Sequence, residues 1–159
     1  MGTSHSAFSD LDTLLQSELA AVSAYTKALE KISDEHAKEV ISECFNSHKE
    51  RRDTLREAIE SIGETPTDSA GPWGAIANLV TKGATKLGDK AIISALEEGE
   101  DIGSDDYEWF LVNMHGDHRK LVKEYIVPEQ QATHEKLAQL AHETLGGVWP
   151  PNPDTEKEI

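Results

Sequence analysis

Residues 11–32 read LDTLLQSELAAVSAYTKALEKI. Leu11, Leu15, Glu18, Val22, Tyr25, Leu29 and Ile32 recur along this stretch in alternating steps of four and three. That is the period of a helix with one buried face. Ser9 and Asp10 precede it as N-cap candidates and Ser33-Asp34 makes a tight break after it, so the spacing predicts a helix over about 8–32. The charged member of the series is Glu18. A bundle would bury it among leucine, valine and tyrosine, where an unpaired carboxylate costs several kcal/mol unless it finds a hydrogen-bonding partner, a proton or a cation.

The same period continues outward. After Asp34 a second seam runs Ala37, Ile41, Phe45, His48, Arg52, Leu55, Ile59, Ile62, with Gly63 as its stop. Two long helices with so short a link must lie antiparallel. Residues 63–88 differ: they hold five of the eleven glycines with Pro66, Pro72 and Trp73, and read as a long crossover containing a short helix near 73–87. A third helix over about 89–115 has the seam Ile93, Glu97, Glu100, Ser104, Tyr107, Leu111, Met114, broken by Gly116-Asp117. The fourth runs to about Leu145 with the later seam Val127, Gln131, His134, Leu137 or Ala138, Ala141, Leu145, and Pro128 is expected to kink or divide it. No strand or hairpin signal appears. The fold class is therefore all-α: two antiparallel helical hairpins joined by a long crossover, a four-helix bundle over 8–146 with an extended tail over 147–159.

Composition narrows the function. The chain has 159 residues, one domain's worth, with 15 basic and 30 acidic residues and a net charge of −15. Such acidity opposes nucleic acid and anionic membranes, whose phosphates are bound through Lys and Arg. A metal ion and a second copy of the chain stay open as partners. No segment approaches the roughly 20 apolar residues of a membrane span. Met1 to Asp10 lack a secretory pattern, and the single cysteine, Cys44, excludes an intrachain disulfide framework. A cytoplasmic protein is expected. There is no Ser-His-Asp, P-loop or GxGxxG signal, and nothing points to an organic cofactor.

Length arithmetic gives Glu18 a partner. Glu18 lies 14 residues before Ile32 and His48 lies 14 after Asp34. At 1.5 Å per residue both stand roughly 21 Å from the same turn. Glu100 lies 16 residues before Gly116 and His134 lies 18 after it, again within a helical turn of each other. Packing the hairpins side by side would bring Glu18, His48, Glu100 and His134 together at mid-bundle, with Glu97 one turn away as an auxiliary carboxylate. Carboxylate and imidazole donors suit Fe, Mn or Zn. The competing arrangement has no metal: the glutamates and histidines pair with one another, and Arg52 neutralises a carboxylate. Glu18 precedes Tyr25 by seven residues and Glu100 precedes Tyr107 by seven, a weak internal repeat. The two tyrosines are core aromatics whose phenols could reach the carboxylates. Cys44 is a small apolar filler beside the seam.

ELAAVSAY (18–25) and SHKERRDTLREAIESIGETP (47–66) resemble the first helix and the end of the second helix of the ferritin-like superfamily, which includes bacterioferritin and rubrerythrin. GPWGAIANLV (71–80), ALEEGEDIGSDDYEWFL (95–111) and His134 are similar to an uncharacterised bacterial ferritin-like domain, associated by analogy with stress responses. The resemblance covers about residues 8–146. The superfamily's di-metal pattern is a Glu on helices one and three plus Glu-x-x-His on helices two and four. Glu18, Glu100, His48 and His134 match it, but Phe45 and Gln131 stand where the bridging glutamates belong, and Glu43 and Glu129 face elsewhere. The resemblance thus implies a degenerate site holding at most one tightly bound metal, with weak ferroxidase- or oxidoreductase-like activity if any. The alternative is a structural or stress-associated interaction module with a self-paired polar core.

Overall fold

The α1–α2 turn organises the bundle. Asp34 caps α2 by accepting from the Ala37 amide at 2.8 Å, while the Ser33 and Asp34 amides both donate to the carboxylate of Asp89, each at 2.9 Å. Asp89 is the first residue of α3, so α3 starts at the end of the bundle where α2 starts. In this computed structural model, which describes residues 3–71, 78 and 88–146, the helices are α1 (Thr3–Lys31), α2 (Glu35–Ser61), α3 (Asp89–Asn113), α4 (Asp117–Leu121) and α5 (Val127–Leu145). A π-helical turn, Val122–Ile126, joins α4 to α5 in one continuous fourth rod.

This is the all-α bundle of two antiparallel hairpins that the seams predict, and among the described residues there is no strand. The connection between the hairpins leaves α2 through Gly63, whose φ of +81° lets the Gly63 and Glu64 amides close on Glu60 and Ile59. It then climbs along α1, with the Thr67 amide donating to Asp12. The short helix expected near 73–87, apart from residue 78, and the tail over 147–159 lie outside the described residues. The first helix begins at Thr3 and not at about residue 8, because no Pro or Gly interrupts residues 3–8.

The α-helical pattern of the fourth rod is interrupted next to Pro128, as expected, by the π-helical turn Val122–Ile126. Pro128 has no amide to give to the carbonyl of Glu124. The turn before it widens, with the Val127 amide donating to Val122 five residues back.

The interior is two apolar halves with a polar layer between them. One half gathers Ala28, Ile32, Ile41, Cys44, Ile93, Leu96, Leu137 and Leu140. The other gathers Leu11, Leu15, Leu55, Ile59, Phe110, Met114, Val122 and Ile126. Between them lie Glu18, His48, Arg51, Glu100, Gln130 and Thr133, none more than 4% exposed. Among the described residues no helix is long and apolar enough to cross a membrane.

Candidate functional site

All four rods supply the polar layer. α1 gives Glu18 and Tyr25, α2 gives His48 and Arg51, α3 gives Glu100 and Tyr107, and α5 gives Gln130 and Thr133. The His48 ring lies between the carboxylates, with Nδ1 2.7 Å from Glu18 Oε2 and Nε2 2.8 Å from Glu100 Oε1. A proton on each ring nitrogen makes both contacts hydrogen bonds and the imidazole a cation; Glu18 and Glu100 favour that state, while the Arg51 guanidinium, 2.9 Å from Nδ1, works against it. Tyr25 donates to Glu100 Oε1 at 2.5 Å, and Tyr107 donates to Glu18 Oε1 at 2.6 Å. The result is one chain, Tyr25–Glu100–His48–Glu18–Tyr107.

Arg51 closes the layer. Its guanidinium is fully buried, stands 3.3 Å from Glu18 Oε1, and donates to Gln130 Oε1 and to Thr133 Oγ1. Gln130 Nε2 and Thr133 Oγ1 each reach Glu100 Oε2 at 2.9 Å. Gly103 makes room for this: a Cβ there would lie 3.1 Å from Gln130 Nε2. With His48 protonated, two carboxylates face two cations, and the layer is neutral as a whole.

The electrostatics follow from that balance. Burial pushes the Glu100 carboxyl up, but His48, Arg51 and the Tyr25 hydroxyl outweigh it and bring the carboxyl down to about 2. Glu18 is likewise lowered against its burial, by Arg51, His48 and Tyr107. Burial and the Arg51 charge press on the His48 imidazolium, yet Glu100 and Glu18 prevail and raise it above its ordinary value. Burial and the neighbouring carboxylates hold both tyrosines well above the ordinary phenol range.

Sequence reasoning brings Glu18, His48 and Glu100 together correctly. His134 does not join them. The inward face of the fourth rod is Ile126, Gln130, Thr133, Leu137, Leu140 and Ala141, which meets the expected seam at Leu137 and Ala141 but stands one residue ahead of Val127, Gln131 and His134; His134 is turned about 100° away from Thr133 and pairs with Asp101 Oδ1 at 2.5 Å, half-exposed. Glu97 also misses, because Leu96 and Glu100 carry the core face of α3; its burial and Asp101 raise its carboxyl. Arg52 is not the internal cation: it pairs with Asp53 at the surface. The residues missed were Arg51, Gln130 and Thr133. For α5 a signal existed, since 126, 130, 133, 137 and 140 keep a strict 4-3-4-3 step.

The superfamily's metal pair does not fit this donor set. The two ring nitrogens of His48 point at different carboxylates, so the three groups do not converge on a point, and the Arg51 guanidinium stands 3.3 Å from Glu18 Oε1. Phe45 is half-buried and Gln131 exposed; the inward positions beside them are Cys44 and Gln130. Glu43 and Glu129 are engaged by Lys136 and Ser47. Among the described residues no three His, Cys, Asp or Glu side chains are grouped to hold a metal ion. A cavity of about 30 Å³ adjoins the layer between α1 and α3, lined by Ala21, Gly99 and Gly103 beside the polar groups. That is room for a water molecule.

Residues 6–113 match the family model described as "Domain of unknown function (DUF2383)". The chain belongs to this DUF2383 family. No curated protein matches it. Among solved structures it is similar to a two-domain protein from Anabaena variabilis that contains DJ-1/ThiJ/PfpI-like and ferritin-like domains, with a TM-score of 0.72 and 23% identity. The match covers 96% of this chain and 41% of that one, so the DUF2383 chain spans less than half the length of its neighbour. At that identity the likeness shows the fold, which is ferritin-like.

Proposed function

We propose that this DUF2383 chain is a metal-free structural and interaction module, a ferritin-like bundle whose centre is neutralised by Arg51 and His48. The observation that carries this reading is Arg51: a fully buried guanidinium 3.3 Å from Glu18 and 2.9 Å from His48 Nδ1, a fixed positive charge beside two of the three candidate ligands. Its charge and that of His48 cancel Glu18 and Glu100, so a divalent cation entering the layer would add two uncompensated charges in a low-dielectric core. In the Anabaena neighbour a ferritin-like domain is joined to another domain, which supports a role beside a second protein unit. A cytoplasmic location belongs to the same reading, supported by the single cysteine, buried as a thiol.

A second reading, one bound Fe, Mn or Zn ion, has a specific observation in its favour. Glu18, His48 and Glu100, from three helices, stand at one level beside a water-sized cavity. It requires Arg51 to swing aside and the His48 ring to give up a carboxylate.

Titration of chelator-treated protein with Fe(II), Mn(II) and Zn(II) separates the two. The module reading expects no tight equivalent in the natural chain and a gain of binding in Arg51→Met. One tight equivalent in the natural chain, lost in His48→Ala, would establish the metal reading instead.

A further inference from the structure

Most large apolar side chains of α3 face inward, but Trp109 is 60% exposed and Val112 80% exposed. The Trp109 indole is not loose: it stands edge-on to Phe110, with ring centroids 4.9 Å apart at 88°, and Phe110 is anchored in the apolar half that holds Leu11 and Leu55. Asp105 lies one turn before Trp109 on the same face, and Glu108 lies one turn before Val112; both are exposed. Neither makes an ion pair among the described residues. An open groove of about 440 Å³ between α3 and α5 borders this face and shares Asp105 and Glu108 with it, while Asp101 in the same lining is paired with His134. The face is therefore a rigid aromatic and an aliphatic group set among unpaired carboxylates.

We propose that this face of α3 docks a cationic, amphipathic segment of a partner protein. Exposed tryptophan is among the commonest interface anchors, and a Lys or Arg head gains from both its ring face and the neighbouring carboxylates. Charge decides among occupants. A second copy of the chain would bring the same acidic face and another −15 charges, and nucleic acid or an anionic membrane would bring phosphates; each meets like-charge repulsion. A Lys- or Arg-bearing segment with leucine-like residues on its other side meets none, and the groove gives it a channel along Asp105 and Glu108. The inference rests on reading the bundle as an interaction module. It makes no use of the buried layer, so either can fail without the other.

The probe is a helical leucine–lysine peptide, titrated into the full chain by calorimetry at low and high salt. Its controls are a leucine–glutamate counterpart and a lysine–glycine peptide of equal charge. The leucine–lysine peptide should bind, weaken with salt, and lose about tenfold in affinity in Trp109→Ser and in the double variant Asp105→Asn, Glu108→Gln. All three positions are exposed, and unchanged circular dichroism would show the bundle intact. Equal binding of the lysine–glycine peptide would reduce the effect to charge alone and overturn the proposal. So would unchanged binding in Trp109→Ser, or no binding at all. Self-association abolished by Trp109→Ser would assign the face to a second copy and equally overturn it.

Discussion

The Tyr25 phenol donates to Glu100 across the bundle, from α1 to α3, at 2.5 Å. Tyr107 returns the bond from α3 to Glu18 on α1 at 2.6 Å. The two Glu-x₆-Tyr units therefore run antiparallel and cross-satisfy each other, with the His48 ring near the local axis that exchanges them. Arg51, bonded to Gln130 and Thr133, breaks the symmetry. The second hairpin contributes no histidine to this layer.

Removing either phenol leaves its carboxylate one donor short without opening a large cavity. Tyr25→Phe and Tyr107→Phe should each cost about 1.5–3 kcal/mol, the range for a hydrogen bond to a charged group. The two variants should also couple through His48, so that the double variant departs from additivity. Urea unfolding of the four proteins of the cycle reads both quantities.

Arg51 and Arg52 are adjacent in sequence and opposite in consequence. Arg51→Met leaves the layer with an uncompensated negative charge and should cost about 3–5 kcal/mol, while Arg52→Met should stay within about 0.5 kcal/mol. Adding Glu18→Gln to Arg51→Met restores neutrality and should recover part of the loss. Chemical denaturation midpoints decide it, and equal effects at the two arginines would contradict the placement of Arg51.

The pH dependence has a direction on each side. His48 is raised above 6.5, so its contribution is complete below that value and is lost as pH rises through its folded value. Glu18 and Glu100 are lowered from 4.5, Glu100 to about 2, so theirs is complete above 4.5 and lost as pH falls towards that value. From these groups stability peaks between pH 4.5 and 6.5 and declines on the alkaline side. Thermal midpoints across this range should show that decline, and His48→Gln should flatten it.

Asp89 holds two amides of the α1–α2 turn through both carboxylate oxygens. Asp89→Ala should cost about 1–3 kcal/mol, and hydrogen exchange at Ser33 and Asp34 should accelerate before exchange in the core does. Retained protection there would show that the turn is held by other contacts.

Most of the fold was readable because helical period and breakers act locally. Asp34, Gly63 and Gly116 end or start helices where their chemistry demands. The pairing of Glu18 with His48 was also readable, because distance along two helices from a shared turn is simple arithmetic. The rotational phase of each helix was not fixed by those means. On α2 the series through Cys44 and Arg51 and the series through Phe45 and Arg52 share one period. Packing against α5 selects the first, because the buried guanidinium finds Gln130 and Thr133 there. In the fourth rod the widened turn ends next to Pro128, and after it Gln130 and Thr133 face inward one residue ahead of the expected Gln131 and His134. A one-residue error in phase is what separates His134 from Thr133, and a metal ligand from a hydrogen-bond donor.

The central claim is that His48 is a charged bridge between Glu18 and Glu100 in a layer that Arg51 completes. Nitrogen-15 NMR of the His48 ring at neutral pH tests it most directly. The account predicts two slowly exchanging N–H protons, on Nδ1 and Nε2, and nitrogen shifts that stay unchanged on adding Zn(II). A ring with a single proton, or one whose second nitrogen shifts on binding Zn(II), would contradict it.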